Sequence, residues 1–141
     1  MLMHRYSLLV SFWLAVPLSA IVAQQPINAC PDPGPDSRNQ LLGTWAQDNT
    51  GPVLTHRRRY EFMADSTFEY VITSRPTGSL AEKVLHRERG HFSMREGCLV
   101  LLPVSGAPTT VSWRVARDPY VGDLQLVLSR PDGTSDVFYR R

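Results

Sequence analysis

The feature that most constrains the fold is the alternation of apolar and polar residues between Leu41 and Arg141, in short runs that end in turn signals. In one such run, Phe68, Tyr70 and Ile72 occupy every second position. Successive side chains of a strand point to opposite faces, so this pattern predicts strands with one apolar face. Several short strands at regular spacing predict an all-β fold, namely an antiparallel, eight-stranded, up-and-down β-barrel with little helix.

Turn residues set the expected limits of the strands. Pro131-Asp132-Gly133 is one strong turn signal, and a short helical turn over Asn39–Leu42 is expected to plug one end of the barrel. The barrel domain is expected to cover residues 39–141. The predicted strands span residues 43–48, 53–63, 67–74, 80–93, 98–103, 109–117, 123–129 and 134–140.

Residues 1–23 have the layout of a secretory signal peptide. His4 and Arg5 are basic, Leu8–Val16 is apolar, and Ala20–Ala23 contains small residues suited to cleavage. This predicts an exported protein, either periplasmic or secreted, with no integral membrane insertion of the processed chain. The alternative is an uncleaved anchor, although the apolar run is shorter than the roughly 20 residues that a spanning helix needs.

The processed chain is expected to begin with a proline-rich extended arm over residues 24–38. The two cysteines of the chain, Cys30 and Cys98, would form one disulfide in an exported protein. Two free thiols or an intermolecular bond remain open. Lipidation of Cys30 is another alternative, because Ile27-Asn28-Ala29 faintly matches a lipid attachment signal.

Composition and motifs exclude several functions. The formal net charge is only +2, which argues against general nucleic-acid binding. No nucleophile elbow, phosphate loop, zinc-protease motif or paired-carboxylate signature occurs, so we expect no enzyme and no cofactor.

His86, Glu88 and His91 lie close together, but His91 has the opposite strand parity. We therefore predict no metal site there and expect these residues on the outer wall.

Three stretches together resemble the lipocalin-like (calycin) families of small exported barrels. They are Gly43-Thr44-Trp45 near the start of the domain, the segment 60–68, and the segment 90–92. The resemblance implies that Trp45 packs across the closed end of the barrel, next to Gly43. It also implies an arginine after the last strand that covers this tryptophan, for which Arg140 and Arg141 are the candidates.

A barrel of this size either fills its interior with side chains or holds one small ligand. His56 and Arg58 share strand parity with the aromatic residues of the same strand, so they are candidates to orient a polar head group, with Arg58 pairing a carboxylate. The apolar candidates for the lining are Tyr60, Phe62, Phe68, Tyr70, Ile72, Val84, Phe92, Leu99, Leu101, Val111, Trp113, Val115, Leu124 and Leu126.

A second candidate surface lies outside the barrel. Four arginines have outward parity on the second and fourth predicted strands and would form a basic patch for an acidic partner. Four glutamates are spaced to neutralise much of that charge. The arginines are Arg57, Arg59, Arg87 and Arg89, and the glutamates are Glu61, Glu69, Glu82 and Glu88.

The expected function is therefore a lipocalin-like barrel that binds a small apolar or amphipathic molecule in its interior. The alternative is an exported interaction protein, such as a protease or lysozyme inhibitor. Its arm, Gln24–Arg38, or the loops at Pro76-Thr77-Gly78 and Ser105-Gly106-Ala107 would enter the cleft of the partner enzyme. Trimming the arm would weaken an inhibitor, whereas Val111→Phe would weaken binding inside the barrel.

Overall fold

The computed structural model describes residues 30–141, which form one short helix and a closed antiparallel barrel. Each strand pairs with its neighbours in sequence, and β1 pairs with β8 to close the barrel. The predicted eight-stranded fold is confirmed, while the predicted signal peptide and residues 24–29 of the arm lie outside the described residues. The elements are α1 (Ser37–Leu41), β1 (Gly43–Thr50), β2 (Leu54–Phe62), β3 (Thr67–Pro76), β4 (Lys83–Arg95), β5 (Cys98–Pro103), β6 (Thr109–Arg117), β7 (Leu124–Ser129) and β8 (Ser135–Arg140).

The strands have the predicted alternation, and their apolar faces form one core inside the barrel. Strands β5 and β6 have the predicted limits, but β4 begins at Lys83 instead of Leu80. The preceding residues form a loop in which the Ser79 N–H donates to the Pro76 carbonyl at 3.0 Å. The buried core residues are Leu41, Trp45, Phe62, Phe68, Phe92, Leu99, Leu101, Val111, Trp113, Leu126, Leu128 and Phe138.

Trp45 closes the end of the barrel at which β1 begins, which we call the closed end. Its indole Nε1 donates to the Leu41 carbonyl of α1 at 2.7 Å. The guanidinium of Arg140, not that of Arg141, lies 4.8 Å from the centre of the Trp45 ring. Gly43 has a φ of +114°, and a Cβ at this position would lie 3.0 Å from the Arg140 guanidinium. Glycine is required there by both the backbone conformation and the close arginine.

A register shift between β3 and β4 changes which residues of β4 face the interior. Ile72 lies opposite His86, but Thr73 lies opposite Val84, so Leu85 has no partner in the register. Such a bulge reverses the parity of the residues before it. The prediction that Val84 lines the interior was therefore wrong, because Val84 lies on the outer wall.

The described part of the arm is tied to the closed end. Cys30 and Cys98 form a disulfide with a Cα–Cα distance of 5.0 Å. A Cβ at Gly97 would lie only 2.6 Å from the Cys30 carbonyl oxygen and 2.7 Å from that of Pro31, so the arm packs directly on the β4–β5 turn. Within residues 30–141, no helix is long and apolar enough to cross a membrane.

Candidate functional site

The aromatic residues predicted to line a ligand cavity pack against one another inside the barrel. The Tyr60 ring stacks on Tyr70 at 4.4 Å and on Phe62 at 5.5 Å, and Phe138 meets it edge-on at 5.2 Å. Phe68 lies 6.5 Å from Tyr60. These contacts fill this level of the barrel with side chains. A filled interior was one of the two alternatives predicted from the sequence; a bound small ligand was the other.

Trp113 is the other interior aromatic residue of interest. Its side chain is buried on β6, yet its indole Nε1 has no hydrogen-bond partner among the described residues. A buried donor without an acceptor is costly, so such a group is a position where a further polar atom would be stabilised.

Arg58 faces the interior as predicted. It lies near the open end of the barrel, which is the end away from Trp45. Its guanidinium forms two hydrogen bonds with the carboxylate of Asp136, at 2.9 and 3.0 Å. It also donates to the Tyr70 hydroxyl and the Gln47 side-chain oxygen, both at 3.0 Å. Arg130 donates to the same Asp136 carboxylate at 2.6 Å. We call these five side chains the mouth cluster.

The electrostatics of the mouth cluster follow from its short contacts and partial burial. The hydrogen bonds that Arg58 donates to Asp136 raise the pKa of Arg58 and lower the pKa of Asp136. Burial raises the pKa of Tyr60 just below them. Arg58 is thus a satisfied cation, and a ligand carboxylate would have to displace Asp136 to bind there.

The histidines do not join the mouth cluster. His56 is exposed and lies opposite Ser74 at the open end, without a side-chain hydrogen bond among the described residues. His86 lies 6.1 Å from the Tyr70 ring, so its expected place on the outer wall was wrong. Glu88 lies opposite Tyr70 in the register and also faces inward. In the part of the chain that the structure describes, no three potential ligand residues converge on a metal site.

Asp136 is a residue of the mouth cluster that sequence reasoning missed. It has the same strand parity as Phe138 and Arg140, and both of these face the interior. This shared parity was the sequence signal that could have placed Asp136 inside the barrel. It was overlooked because a charged residue near a turn is most often solvated.

A groove lies on the outer wall across β1 to β4, and we call it the outer groove. Its volume is about 580 Å³. Small side chains form its floor, and charged side chains surround them. The lining residues are Thr44, Ala46, Asp48, Arg57, Arg59, Val71, Thr73, Glu82, Val84, Arg87 and Arg141.

The outer groove forms because short side chains alternate with long ones across the sheet. In the register, Arg59 lies between Ala46 and Val71, and Val71 lies between Arg59 and Arg87. Ala46 and Val71 are buried although they point outward, as expected when arginine stems cover apolar surface. In the wall of the groove, the Thr73 hydroxyl oxygen is buried and has no hydrogen-bond partner among the described residues.

The outer groove carries a positive charge. Its lining contains four arginines and two carboxylates, which gives a net charge of +2. Arg57 lies 2.7 Å from Asp48 and 3.7 Å from Glu82, and Arg141 lies 3.9 Å from Asp48. The hydrogen bond from Arg57 is the main reason that the pKa of Asp48 is lowered. Both carboxylates are therefore paired with arginines, and the surplus charge is cationic.

The surplus positive charge is concentrated at the edge of the outer groove, where three arginines share one carboxylate. Glu69 accepts a hydrogen bond from Arg89 at 2.8 Å, and this bond is the main cause of its lowered pKa. Arg87 and Arg59 lie farther from Glu69, at 3.5 and 3.7 Å. The basic patch predicted from parity is present, but Glu88 does not neutralise it, because that residue faces the interior.

No protein-family model matches the chain, and neither the curated proteins nor the solved structures contain a match.

Proposed function

We propose that the chain is an exported, periplasmic or secreted, lipocalin-like barrel that binds a small amphipathic anion without catalysing a reaction. The ligand is held in the outer groove instead of the barrel interior. The observation that carries this proposal is the combination, in one groove, of a buried apolar floor at Ala46 and Val71 with a surplus of arginines around it.

The size of the outer groove supports this assignment. Small-molecule sites have volumes of about 300–1,000 Å³. A volume of about 580 Å³ lies inside that range. The apolar part of a ligand would pack on the half-exposed Val84 and on the arginine stems that cover Ala46 and Val71.

Arg59 and Arg87 are the best candidates to bind the anionic head. Their nearest carboxylate oxygens, both on Glu69, lie beyond hydrogen-bond distance of the guanidinium nitrogens, at 3.7 and 3.5 Å. Both arginines can therefore donate charge-assisted hydrogen bonds to a ligand without first breaking one. In contrast, Arg58 would have to give up both of its hydrogen bonds to Asp136.

The proposal is tested by titrating dodecanoate into the protein in a calorimeter. The double variant Arg59→Gln, Arg87→Gln removes two donors from the rim and is expected to weaken dodecanoate binding by about tenfold or more. Arg114→Gln is the matched control, because Arg114 is an exposed arginine of β6 outside the outer groove. It should leave binding unchanged, and dodecanol should bind more weakly than dodecanoate.

A core variant separates the outer groove from the interior. Val111 is buried inside the barrel, so Val111→Phe fills interior space without touching the outer groove. If the variant is folded by circular dichroism, it should bind dodecanoate normally. Loss of binding in Val111→Phe, with retention in the arginine double variant, would contradict the outer groove as the site.

A ligand inside the barrel is a second candidate, favoured by the unpaired indole donor of Trp113 among the described residues. An oxygen of a bound molecule would satisfy that donor. Native mass spectrometry of the protein purified from the periplasm, followed by organic extraction, would detect a retained molecule.

The inhibitor hypothesis stays a prediction. One of the loops that it would use contains Thr77, which donates hydrogen bonds to the carbonyls of Val53 and Gly51, at 2.9 and 3.0 Å. These bonds hold the loop against the β1–β2 turn.

A further inference from the structure

Two loops at the open end carry strongly exposed aliphatic side chains. Val53, in the β1–β2 turn, is 72 % exposed, and Leu80, in the β3–β4 loop, is 93 % exposed. We call these two residues the loop tips. Transfer of these aliphatic groups from water into an apolar phase is favourable.

The two loops are linked to each other, so the loop tips belong to one surface. The Thr77 N–H donates to the Val53 carbonyl at 2.9 Å, and the Thr77 hydroxyl donates to the Gly51 carbonyl at 3.0 Å. The β3–β4 loop is therefore fixed against the β1–β2 turn by hydrogen bonds to Val53 itself and to Gly51.

Unpaired cations flank the loop tips. Arg75 lies opposite Thr55 near the end of β3, and Lys83 lies opposite Ser74 at the start of β4. In the described part of the chain, neither Arg75 nor Lys83 forms an ion pair, whereas the nearby Glu82 is paired with Arg57. The surface is thus apolar at its tips and positively charged at its base.

We propose that this end of the barrel docks on the surface of an anionic lipid bilayer. The loop tips would enter the interface between head groups and acyl chains, and Arg75 and Lys83 would contact the anionic head groups. A bilayer fits separate protruding side chains because it needs no matching shape, whereas a stable protein partner needs a complementary surface of about 1,000 Å² or more. This inference is independent of what the outer groove binds.

The test is co-sedimentation of the processed chain with lipid vesicles. The protein should bind vesicles of phosphatidylcholine mixed with phosphatidylglycerol, and should bind pure phosphatidylcholine vesicles much more weakly. Val53→Ser with Leu80→Ser, and separately Arg75→Gln with Lys83→Gln, should each weaken binding to the anionic vesicles by about tenfold.

The matched control uses the opposite end of the barrel. Tyr120 and Val121, in the β6–β7 turn, are 95 % and 66 % exposed, so Tyr120→Ser with Val121→Ser removes a similar exposed apolar surface. This variant should bind the anionic vesicles normally. The proposal is overturned if the unmodified protein does not sediment with them, or if the control loses as much binding as the loop-tip variant.

A fourth variant distinguishes bilayer docking from capture of a lipid head group by the outer groove. The double variant Arg59→Gln, Arg87→Gln should still sediment with the anionic vesicles. If it loses binding while the loop-tip variant keeps it, the outer groove is the lipid site and the docking surface is wrong. All these substitutions are at exposed or partly exposed positions, and circular dichroism checks that each variant is folded.

Discussion

At the scale of single residues, the closed end depends on Gly43. Two separate reasons require glycine there: its φ is +114°, and a Cβ would lie only 3.0 Å from the Arg140 guanidinium. A side chain would strain the backbone and also push Arg140 away from the face of Trp45. The cation–π contact contributes about 1 kcal/mol when it is partly desolvated.

Gly43→Ala should therefore lower the free energy of unfolding by about 2–3 kcal/mol. Gly122→Ala is the matched control, since Gly122 also has a positive φ, of +76°, but no atom lies within 4 Å of its Cβ position. It should cost only the backbone strain, about 1 kcal/mol. Urea unfolding followed by Trp fluorescence measures both values, and equal losses would argue against the role of Arg140.

Asp136 gives stability that depends on pH. Its pKa is lower in the folded protein than the ordinary value of 3.8, mainly because Arg58 donates hydrogen bonds to the charged form. A lowered pKa means that the contribution is complete above the unfolded pKa and is lost as the pH falls below 3.8 towards the folded pKa. The protein should thus lose stability on the acid side of this value.

Asp136→Asn tests this link. It leaves the half-buried Arg58 without a charged partner, so the free energy of unfolding at neutral pH should fall by about 2 kcal/mol. Below pH 3.8, the difference between the variant and the original protein should shrink. Asp123→Asn is the control, because Asp123 forms no ion pair among the described residues. A difference that stays constant with pH would contradict the assignment.

At the scale of elements, the sequence predicted most strands because their alternation is regular. Strands β5 and β6 match the expected limits, and the outward parity of Arg57 and Arg87 was read correctly. The bulge opposite Ile72 and Thr73 was not predictable, because Val84-Leu85 is an apolar pair that fits either parity. That one shift moved Val84 from the expected interior to the outer groove.

The candidate site was only partly predictable for a related reason. Parity shows which residues share a face, but it does not show the distance between residues on different strands. The outer groove depends on Ala46 lying beside Arg59 across the β1–β2 register, and the mouth cluster depends on Asp136 meeting Arg58 from β8. Both are pairings between strands, which a single sequence leaves undetermined.

The disulfide is the link between the arm and the barrel. It joins Cys30 to Cys98 across 68 positions, so it constrains a long loop of the unfolded chain. Replacing both cysteines by alanine should lower the free energy of unfolding by about 4 kcal/mol in the chain-entropy description. Differential scanning calorimetry of the double variant and of the reduced original protein should give similar losses. Unchanged stability in the double variant would contradict this role.

At the scale of the whole molecule, the two ends of the barrel and its wall carry different surfaces. The closed end holds α1, the disulfide and Trp45, which all serve stability. The open end presents the loop tips, and the wall between the ends presents the outer groove. The two proposed binding surfaces can therefore be changed independently of the packed aromatic interior.

The pairing of β1 with β8 has a consequence for the order of folding. Every other pair of neighbouring strands is consecutive in the chain, so each can form as a hairpin over a short loop. The β1–β8 pair matches only Trp45 with Arg140 and Ala46 with Tyr139, from opposite ends of the described sequence. It bears the largest entropy cost of chain closure for the fewest paired residues. We expect the hairpins to assemble first as an open, curved sheet, and the closure of β1 on β8 to be the late, rate-limiting step.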